Sequence, residues 1–397
     1  MKTGVTTPKG FKAAGIHCGV KKSKKDLALI YTELPASAAA VFTLNKVQAA
    51  PVLVCKENLQ KTKKFHAVIV NSGNANACTG ERGYKDAIQM SFKTAEMLNI
   101  KPEEVFVSST GVIGELLPMD KILNGIELIV DSLAEDDDLA SAEAILTTDT
   151  FTKTASGSFM ANGKTVTIGG MSKGSGMIHP NMATMLAFVT TDAAVENGAF
   201  QGALKEISDK TFNKIIVDGD TSTNDMVIAL ANGASGIEPI QSGTPEFVSF
   251  LNCLGKVMKK LSIDIVRDGE GATKLVEITV EGALTDRDAD KAARTVALSP
   301  LVKTAIHGED TNWGRIIAAV GYSGIEFDPS EFEIIINGSP VLKKNYEVVL
   351  PAEEANKLLE PREIKILLKL NCGAGTATCW TCDFSEEYIK INGSYRT

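Results

Sequence analysis

The residues placed to do chemistry centre on Thr184. A loop of little side-chain bulk, Lys173-Gly-Ser-Gly-Met-Ile-His-Pro-Asn-Met-Ala-Thr184, runs directly into the apolar Met185-Leu-Ala-Phe-Val-Thr-Thr191, which reads as a buried strand. A hydroxyl at that junction can be reached from outside. Threonine is a weak nucleophile at neutral pH and needs a base within hydrogen-bond reach. Its own α-amine can serve once the preceding peptide bond is cut. Two readings of Thr184 follow: a turn or strand-edge residue, or a nucleophile released by self-cleavage between Ala183 and Thr184. The second also needs N–H donors aimed at the tetrahedral oxyanion. Ser108-Ser-Thr-Gly-Val-Ile-Gly114, a Gly-containing turn after a strand-like run, is of the right kind. It reads equally as a strand-to-loop turn that needs a glycine.

Other constellations point less clearly to chemistry. Cys379-Trp-Thr-Cys382 has the spacing of a redox or zinc half-site, but no second cysteine pair follows. The surrounding residues read as a strand, where positions i and i+3 face opposite ways. Asp218-Gly-Asp-Thr-Ser-Thr-Asn-Asp225 resembles an acidic metal loop without the closing Glu, and a tight turn held by Asx bonds fits it better. His307 is a possible acid or base, although a free α-amine of reference pKa about 8 already suits the task. Gly308-Glu-Asp-Thr-Asn-Trp-Gly314 reads as packing around Trp313 more readily than as a phosphate site. No P-loop, dinucleotide fingerprint or Gly-x-Ser-x-Gly elbow stands out.

The elements that must hold these groups mix α and β throughout. Strands are expected at 65–71, 105–109, 164–168, 185–191, 226–230, 274–280, 331–336 and 363–369. Helices are expected at 84–98, 122–133, 141–146, 203–216 and 286–295. The longest helical pattern covers 245–266, with apolar residues at Phe247, Phe250, Leu251, Leu254, Val257 and Leu261. No solenoid repeat or low-complexity tract interrupts the pattern.

Bulk properties narrow the classes. The 397 residues allow a large core and more than one folding unit. A net charge of −8 argues against nucleic acid as the main partner. The basic run Lys21-Lys-Ser-Lys-Lys25 reads as a solvated turn. Seven scattered cysteines do not form a secreted disulfide framework. With no membrane-length apolar run and no secretory h-region in the first residues, the cytoplasm is the expected compartment.

Met171-Ser-Lys-Gly-Ser-Gly-Met-Ile-His-Pro-Asn-Met-Ala-Thr-Met-Leu-Ala-Phe188 resembles the self-processing segment of the ornithine acetyltransferase family of arginine biosynthesis. The resemblance extends to Asn71-Ser-Gly-Asn-Ala-Asn-Ala77, Ser109-Thr-Gly-Val-Ile-Gly114, Asp218–Asp225, His307–Arg315 and Ile391–Thr397, nearly the whole chain. It implies an αββα-layered core with a smaller C-terminal α/β portion. Three sections follow from it: fragment 1–183, residues 184–273 completing the core, and 274–397 with a tail returning to the site. It makes Thr184 the nucleophile, puts Thr110 and Gly111 at the oxyanion hole, and assigns substrate binding to Thr150, Lys173, Thr184, Glu270, Asn392 and Thr397. Lys173 would hold the α-carboxylate and Glu270 the side-chain ammonium of ornithine. This chain departs from the family's pattern at Cys379, where the family usually has a non-thiol residue.

The implied reaction is ping-pong acetyl transfer from N-acetylornithine to glutamate, with no cofactor, no metal, and two copies of each fragment. Acetyl-CoA remains open as a second donor. With Lys21–Lys25 remote in sequence and no other basic cluster near the motif to take its phosphates, N-acetylornithine is expected to be the better one. The alternatives are an N-terminal-nucleophile aminopeptidase or amidohydrolase, which would transfer to water, and a non-enzymatic acidic scaffold that stays intact.

Overall fold

Strand β2 organises the first part of the molecule because it changes partners along its length. A computed structural model describes residues 3–179 and 185–394. The first sheet contains β1 (Phe11–Ile16), β2 (Leu27–Phe42), β3 (Phe65–Asn74), β4 (Val105–Val112), β5 (Lys153–Ala161), β6 (Lys164–Lys173), β7 (Leu186–Thr191) and, after the short β8 (Ile215–Ile216) of the second sheet, β9 (Met226–Ala231). Its order is β4-β3-β2-β9-β7-β6-β5, with β1 beside β2. Residues Leu27–Tyr31 of β2 pair with both β1 and β3. The register then shifts between Tyr31 and Ala36, across Pro35, which has no N–H for the ladder. Beyond it, Ser37–Phe42 pair with β9.

The two halves of this sheet share one core. Ala28 and Ile30 of β2, Val68 and Val70 of β3 and Phe106 of β4 pack with Leu186 and Phe188 of β7 and with Met226, Ile228 and Leu230 of β9. The alternate residues Leu27, Leu29, Ile69 and Val107 face the other way and meet Met90, Ile122 and Ile126. Those come from α2 (Gly80–Leu98) and α3 (Met119–Asp131), which share the outer layer with α1 (Ala50–Lys61). Helix α4 (Asp138–Ala144) packs on β1 and β2. The far side of the second half is covered by α5 (Asn197–Lys210) and α6 (Pro245–Arg267). Period-2 burial on the strands and one apolar stripe per helix therefore generate the αββα layering that the sequence resemblance implied.

Helix α6 is the element its sequence announces most strongly. Phe250, Cys253, Leu254, Val257, Met258, Leu261 and Ile265 are buried at spacings of three and four, each full burial of such a side chain contributing about 1.5–3 kcal/mol. Phe250 makes edge contacts with Phe159 and Phe200, with ring centroids 6.1 Å apart in both pairs. The helix expected over 203–216 divides instead. Helix α5 ends at Lys210, Thr211 leaves helical geometry (φ −126°, ψ −86°), and Ile215–Ile216 pair with the second sheet. The β-branched Ile215-Ile216-Val217 run gains more in a strand than at a helix end.

The second sheet has the order β13-β12-β11-β14-β10-β15-β8 among the described residues. It uses β10 (Leu275–Ala283), β11 (Glu333–Ile336), β12 (Ser339–Lys343), β13 (Glu347–Val348), β14 (Glu363–Lys369) and β15 (Gly375–Cys382). Alternating Val276, Ile278 and Val280 are fully buried, packed with Ala289, Ala293 and Val296 of α7 (Asp286–Leu298). Further helices are α8 (Pro300–His307), α9 (Trp313–Gly321), α10 (Ala352–Lys357) and α11 (Glu386–Ser394). The chain thus forms two compact units. One runs to Asn213 and resumes over Asp220–Ile265; the other takes Lys214–Gly219 and Val266–Arg396.

Candidate functional site

Thr110 and Gly111 lie in the last residues of β4. The sequence suggested a turn after Ser109, but the strand continues to Val112. A bulge in β3 allows this: Asn74 is opposite both Thr110 and Val112, and Gly73 is opposite Gly111. Both glycines have positive φ, +101° and +134°. The two backbones approach so closely that a Cβ on Gly111 would come within 2.3 Å of the Gly73 carbonyl carbon. The Asn-rich motif holds this strand end. Asn71 Nδ2 donates to the Asn74 carbonyl at 2.9 Å, and Asn71 Oδ1 accepts from Ser109 Oγ at 2.5 Å. Asn74 Nδ2 donates to the carbonyls of Glu115 and Leu116. From the acidic loop, Asn224 Nδ2 donates to the carbonyls of Ala75 (2.6 Å) and Ser109 (2.8 Å). That loop is a support of the strand end, and among the described residues no cluster of metal ligands forms.

Lys173 ends β6 and is buried. Its partner is Asp149, in the turn after α4. Asp149 Oδ1 accepts from Lys153 Nζ and from the Gly174 N–H, both at 2.7 Å, and Oδ2 accepts from the Thr147 N–H at 3.0 Å. Lys173 Nζ is 3.9 Å from Oδ2, beyond hydrogen-bond reach. Burial alone would raise the Asp149 carboxyl. The ammonium groups of Lys173 and Lys153 and the N–H bond outweigh it and hold the group well below the usual carboxylate range. Thr150 follows on the exposed side of the turn.

The loop 17–26 is not wholly the solvated turn its sequence suggests. Lys22, Ser23 and Lys24 are exposed, but Lys21 turns inward. The buried Asp26 carboxylate takes the N–H groups of Cys18 (2.6 Å), Gly19 (3.1 Å) and Lys21 (2.8 Å) and so fixes the loop. Lys21 Nζ donates to the carbonyls of Leu146 (2.5 Å) and Lys25 (2.9 Å). Its stem lies against Gly73, where a Cβ would meet Lys21 Cγ at 2.9 Å. Burial, with Lys173 and Lys24 adding to it against Asp26 and Asp149, pushes the ammonium down to about 8.

Ala183, Thr184 and Thr397 lie outside the described residues. On one flank of the first two, Ile178 bridges to Thr221, and Thr221 Oγ1 donates to the His179 carbonyl at 3.1 Å. On the other, Met185 accepts from the Met226 N–H, and Leu186 is opposite Lys173 in the β6–β7 ladder.

In the second unit Glu270 and Asn392 come together. Glu270 is buried in the turn after α6, and its Oε2 accepts from Asn392 Nδ2 at 2.7 Å. Gly271 makes this possible: a Cβ there would come within 2.6 Å of the Tyr388 nitrogen, so α11 sits directly on the turn. Ser385 Oγ donates to the Gly271 carbonyl at 2.6 Å.

His307 has a structural setting in that unit. Its Nδ1 is 2.7 Å from Asp383 Oδ2, while Asp383 also accepts from the N–H groups of Thr273 and Lys274. Asn312 caps α9 by accepting from the Arg315 N–H. Cys379 and Cys382 are both fully buried, the first in the sheet core and the second against Gly269 and Lys303. The buried Lys303 donates to Thr381 Oγ1 at 2.8 Å and to the Cys382 carbonyl.

Sequence reasoning did not single out Lys21, Asp26, Asn74, Asp149 or Asn224 individually. The motifs containing Asn74 and Asn224 marked two of them. Asp26 and Asp149 belong to no motif that the sequence marked.

The layered core, with buried, hydrogen-bonded charges at its strand ends and turns, defines the chain as a layered α/β protein. Its residues 12–397 match the family model described as "ArgJ family". The chain belongs to the ArgJ family, as its sequence resemblance implied. It is 50% identical over 397 residues to the "Arginine biosynthesis bifunctional protein ArgJ" of Listeria monocytogenes serotype 4b (strain F2365), covering 100% of this chain and 99% of that protein. Among solved structures, the arginine biosynthesis bifunctional protein argJ of Bacillus halodurans is 55% identical, covering 45% of this chain and 94% of that one, with a TM-score of 0.44. The ornithine acetyltransferase of Mycobacterium tuberculosis, complexed with ornithine, is 40% identical over 46% of this chain and 96% of its own, with a TM-score of 0.41. Among the described residues no helix is long and apolar enough to cross a membrane.

Proposed function

We propose that this chain transfers an acetyl group from N-acetylornithine to glutamate by a ping-pong reaction through Thr184, after cutting itself between Ala183 and Thr184. As an ArgJ family member it is an enzyme of arginine biosynthesis, an acetyltransferase acting on small amino-acid substrates. In the first step Thr184 Oγ attacks the Ala183 carbonyl carbon and the C–N bond breaks, which frees the α-amine of Thr184 and leaves Ala183 as an ester on Oγ; water then hydrolyses that ester, releasing the Ala183 carboxylate and restoring the hydroxyl. In turnover Oγ attacks the acetyl carbonyl of N-acetylornithine and its proton passes to that amine. Ornithine leaves with the proton, and the amine of glutamate then takes the acetyl from the ester. Thr110 and Gly111 would steady the oxyanion of both reactions.

The carrying observation is the match to the ArgJ family over residues 12–397. Lys173 and Glu270, each buried within its own unit, carry the charges that suit a carboxylate and an ammonium respectively. Asn392, hydrogen-bonded to Glu270, would orient it, and Thr150 and Thr397 would complete the substrate contacts. No cofactor or metal is needed for these steps. We place the reaction in the cytoplasm, where seven free thiols are stable, and expect two copies of each fragment in the working assembly. The word "bifunctional" in the relatives' names favours a second activity, formation of N-acetylglutamate from acetyl-CoA and glutamate on the same ester. N-acetylornithine should remain the donor of higher kcat/KM.

Glu270→Gln tests the assignment. It should weaken N-acetylornithine far more than an N-acetylated amino acid with a neutral side chain, by ~2–5 kcal/mol for a desolvated charge pair. Equal losses for the two donors would remove Glu270 from the ammonium site.

A further inference from the structure

The proposed reaction asks one site to take two amino acids with opposite side-chain charges. A carboxylate such as Glu270 suits the ammonium of ornithine and repels the side-chain carboxylate of glutamate. If Lys173 takes the α-carboxylate common to both, the acceptor still needs a second cation close to the acyl group.

Lys21 lies in the first unit beside the end of β4, where Gly111 is proposed to face the oxyanion. Its stem packs on Gly73, the residue opposite Gly111 in the β3–β4 ladder. Its ammonium is anchored at the Leu146 carbonyl, in the same turn whose Asp149 lies beside Lys173. An ammonium has three N–H donors. Two go to the neutral carbonyls of Leu146 and Lys25, and among the described residues no carboxylate is hydrogen-bonded to it. Asp26 is occupied by the N–H groups of Cys18, Gly19 and Lys21, and Asp149 by Lys153, Gly174 and Thr147. Two lysines thus converge on a turn whose carboxylate is already engaged.

We propose that Lys21, held between Gly73 and the Leu146 turn, binds the side-chain carboxylate of the acceptor amino acid; this rests on glutamate being the acceptor. Acetyl-CoA would not use it in the same way, because the pantetheine arm carries its phosphates far from the reacting carbon. The side-chain carboxylate of glutamate lies only a few bonds from the attacking amine.

The test compares glutamate with glutamine as acceptors, with N-acetylornithine as donor, in the wild type and in Lys21→Met and Lys21→Arg. The wild type should favour glutamate in kcat/KM. Lys21→Met should shrink that ratio by about ten- to a hundredfold, the worth of one charge-assisted hydrogen bond. Lys21→Arg should restore most of it. If Lys21→Met does not fold, Lys21→Gln, which keeps N–H donors for the two carbonyls, carries the same comparison. A ratio unchanged by Lys21→Met, or by Lys21→Gln in its place, or equal slowing of both acceptors, overturns the assignment. Failure of the underlying reaction looks different: the wild type would form no N-acetylglutamate from N-acetylornithine and glutamate.

Discussion

Neutralising Asp149 should cost the first unit a large part of its stability. In Asp149→Asn the turn keeps an oxygen for one backbone N–H but loses the charge facing two lysines. Lys153 Nζ is 2.7 Å from Oδ1, and both side chains are fully buried; Lys173 Nζ is 3.9 Å from Oδ2. Removing one partner of a buried pair costs about 3–5 kcal/mol. For a unit of this size that corresponds to a fall in Tm on the order of 10 °C. Thermal melts followed by circular dichroism read it. The pH dependence gives an independent check. The Asp149 carboxyl is held below its ordinary value, chiefly by Lys173 and Lys153 acting against burial. Its contribution is therefore full above the unfolded carboxylate pKa, about 4, and is lost as pH falls below that. The gap between wild type and variant should be wide near neutrality and should narrow in acid below about pH 4. Melting within a degree or two of the wild type at neutral pH would refute the reasoning, as would a gap that widens in acid.

Gly111→Ala should disturb both self-cleavage and turnover. Its Cβ would meet only backbone, at 2.3 Å from the Gly73 carbonyl carbon and 2.5 Å from the Asn74 nitrogen, and the φ of +134° disfavours any side chain. Loss of one oxyanion donor slows such chemistry about 10²–10³-fold; normal processing with collapsed turnover would contradict a shared oxyanion site. The ammonium of Lys21, set near 8 by burial together with Lys24, Lys173, Asp26 and Asp149, should lose charge as pH rises through that value. The KM for glutamate in the wild type should then rise above about pH 8 relative to that of Lys21→Arg, whose guanidinium stays charged. Parallel KM profiles for the two proteins would count against it.

Much of the fold could be read from periodicity. Helix α6 and strands β10 and β14 declare themselves because each buries one face against a layer, which forces spacings of three and four or of two. Shorter elements did not. The two residues of β8 have no period to detect, and their strand conformation comes from β15, far along the chain. The continuation of β4 through Gly111 depends on a bulge in its neighbour β3. Motifs marked some of the supports: the glycines around Glu270 do admit α11, the Ser-Ser-Thr-Gly run proved to be strand where a turn was expected, and Thr184 lies outside the described residues. Lys21 was hidden in a basic run whose other exposed members are solvated. Only the Asp26 nest turns it inward, and a loop closed by a carboxylate five residues later has no distinctive pattern in one sequence.

The most direct test of the account is the intact mass of the purified protein, before and after exposure to N-acetylornithine without glutamate. The account predicts two polypeptides, residues 1–183 and 184–397. The second should gain the mass of one acetyl group at its first residue and lose it when glutamate is added, while Thr184→Ala remains one unmodified chain. A wild-type protein that stays in one piece, is cut elsewhere, or carries the acetyl on another residue would contradict it.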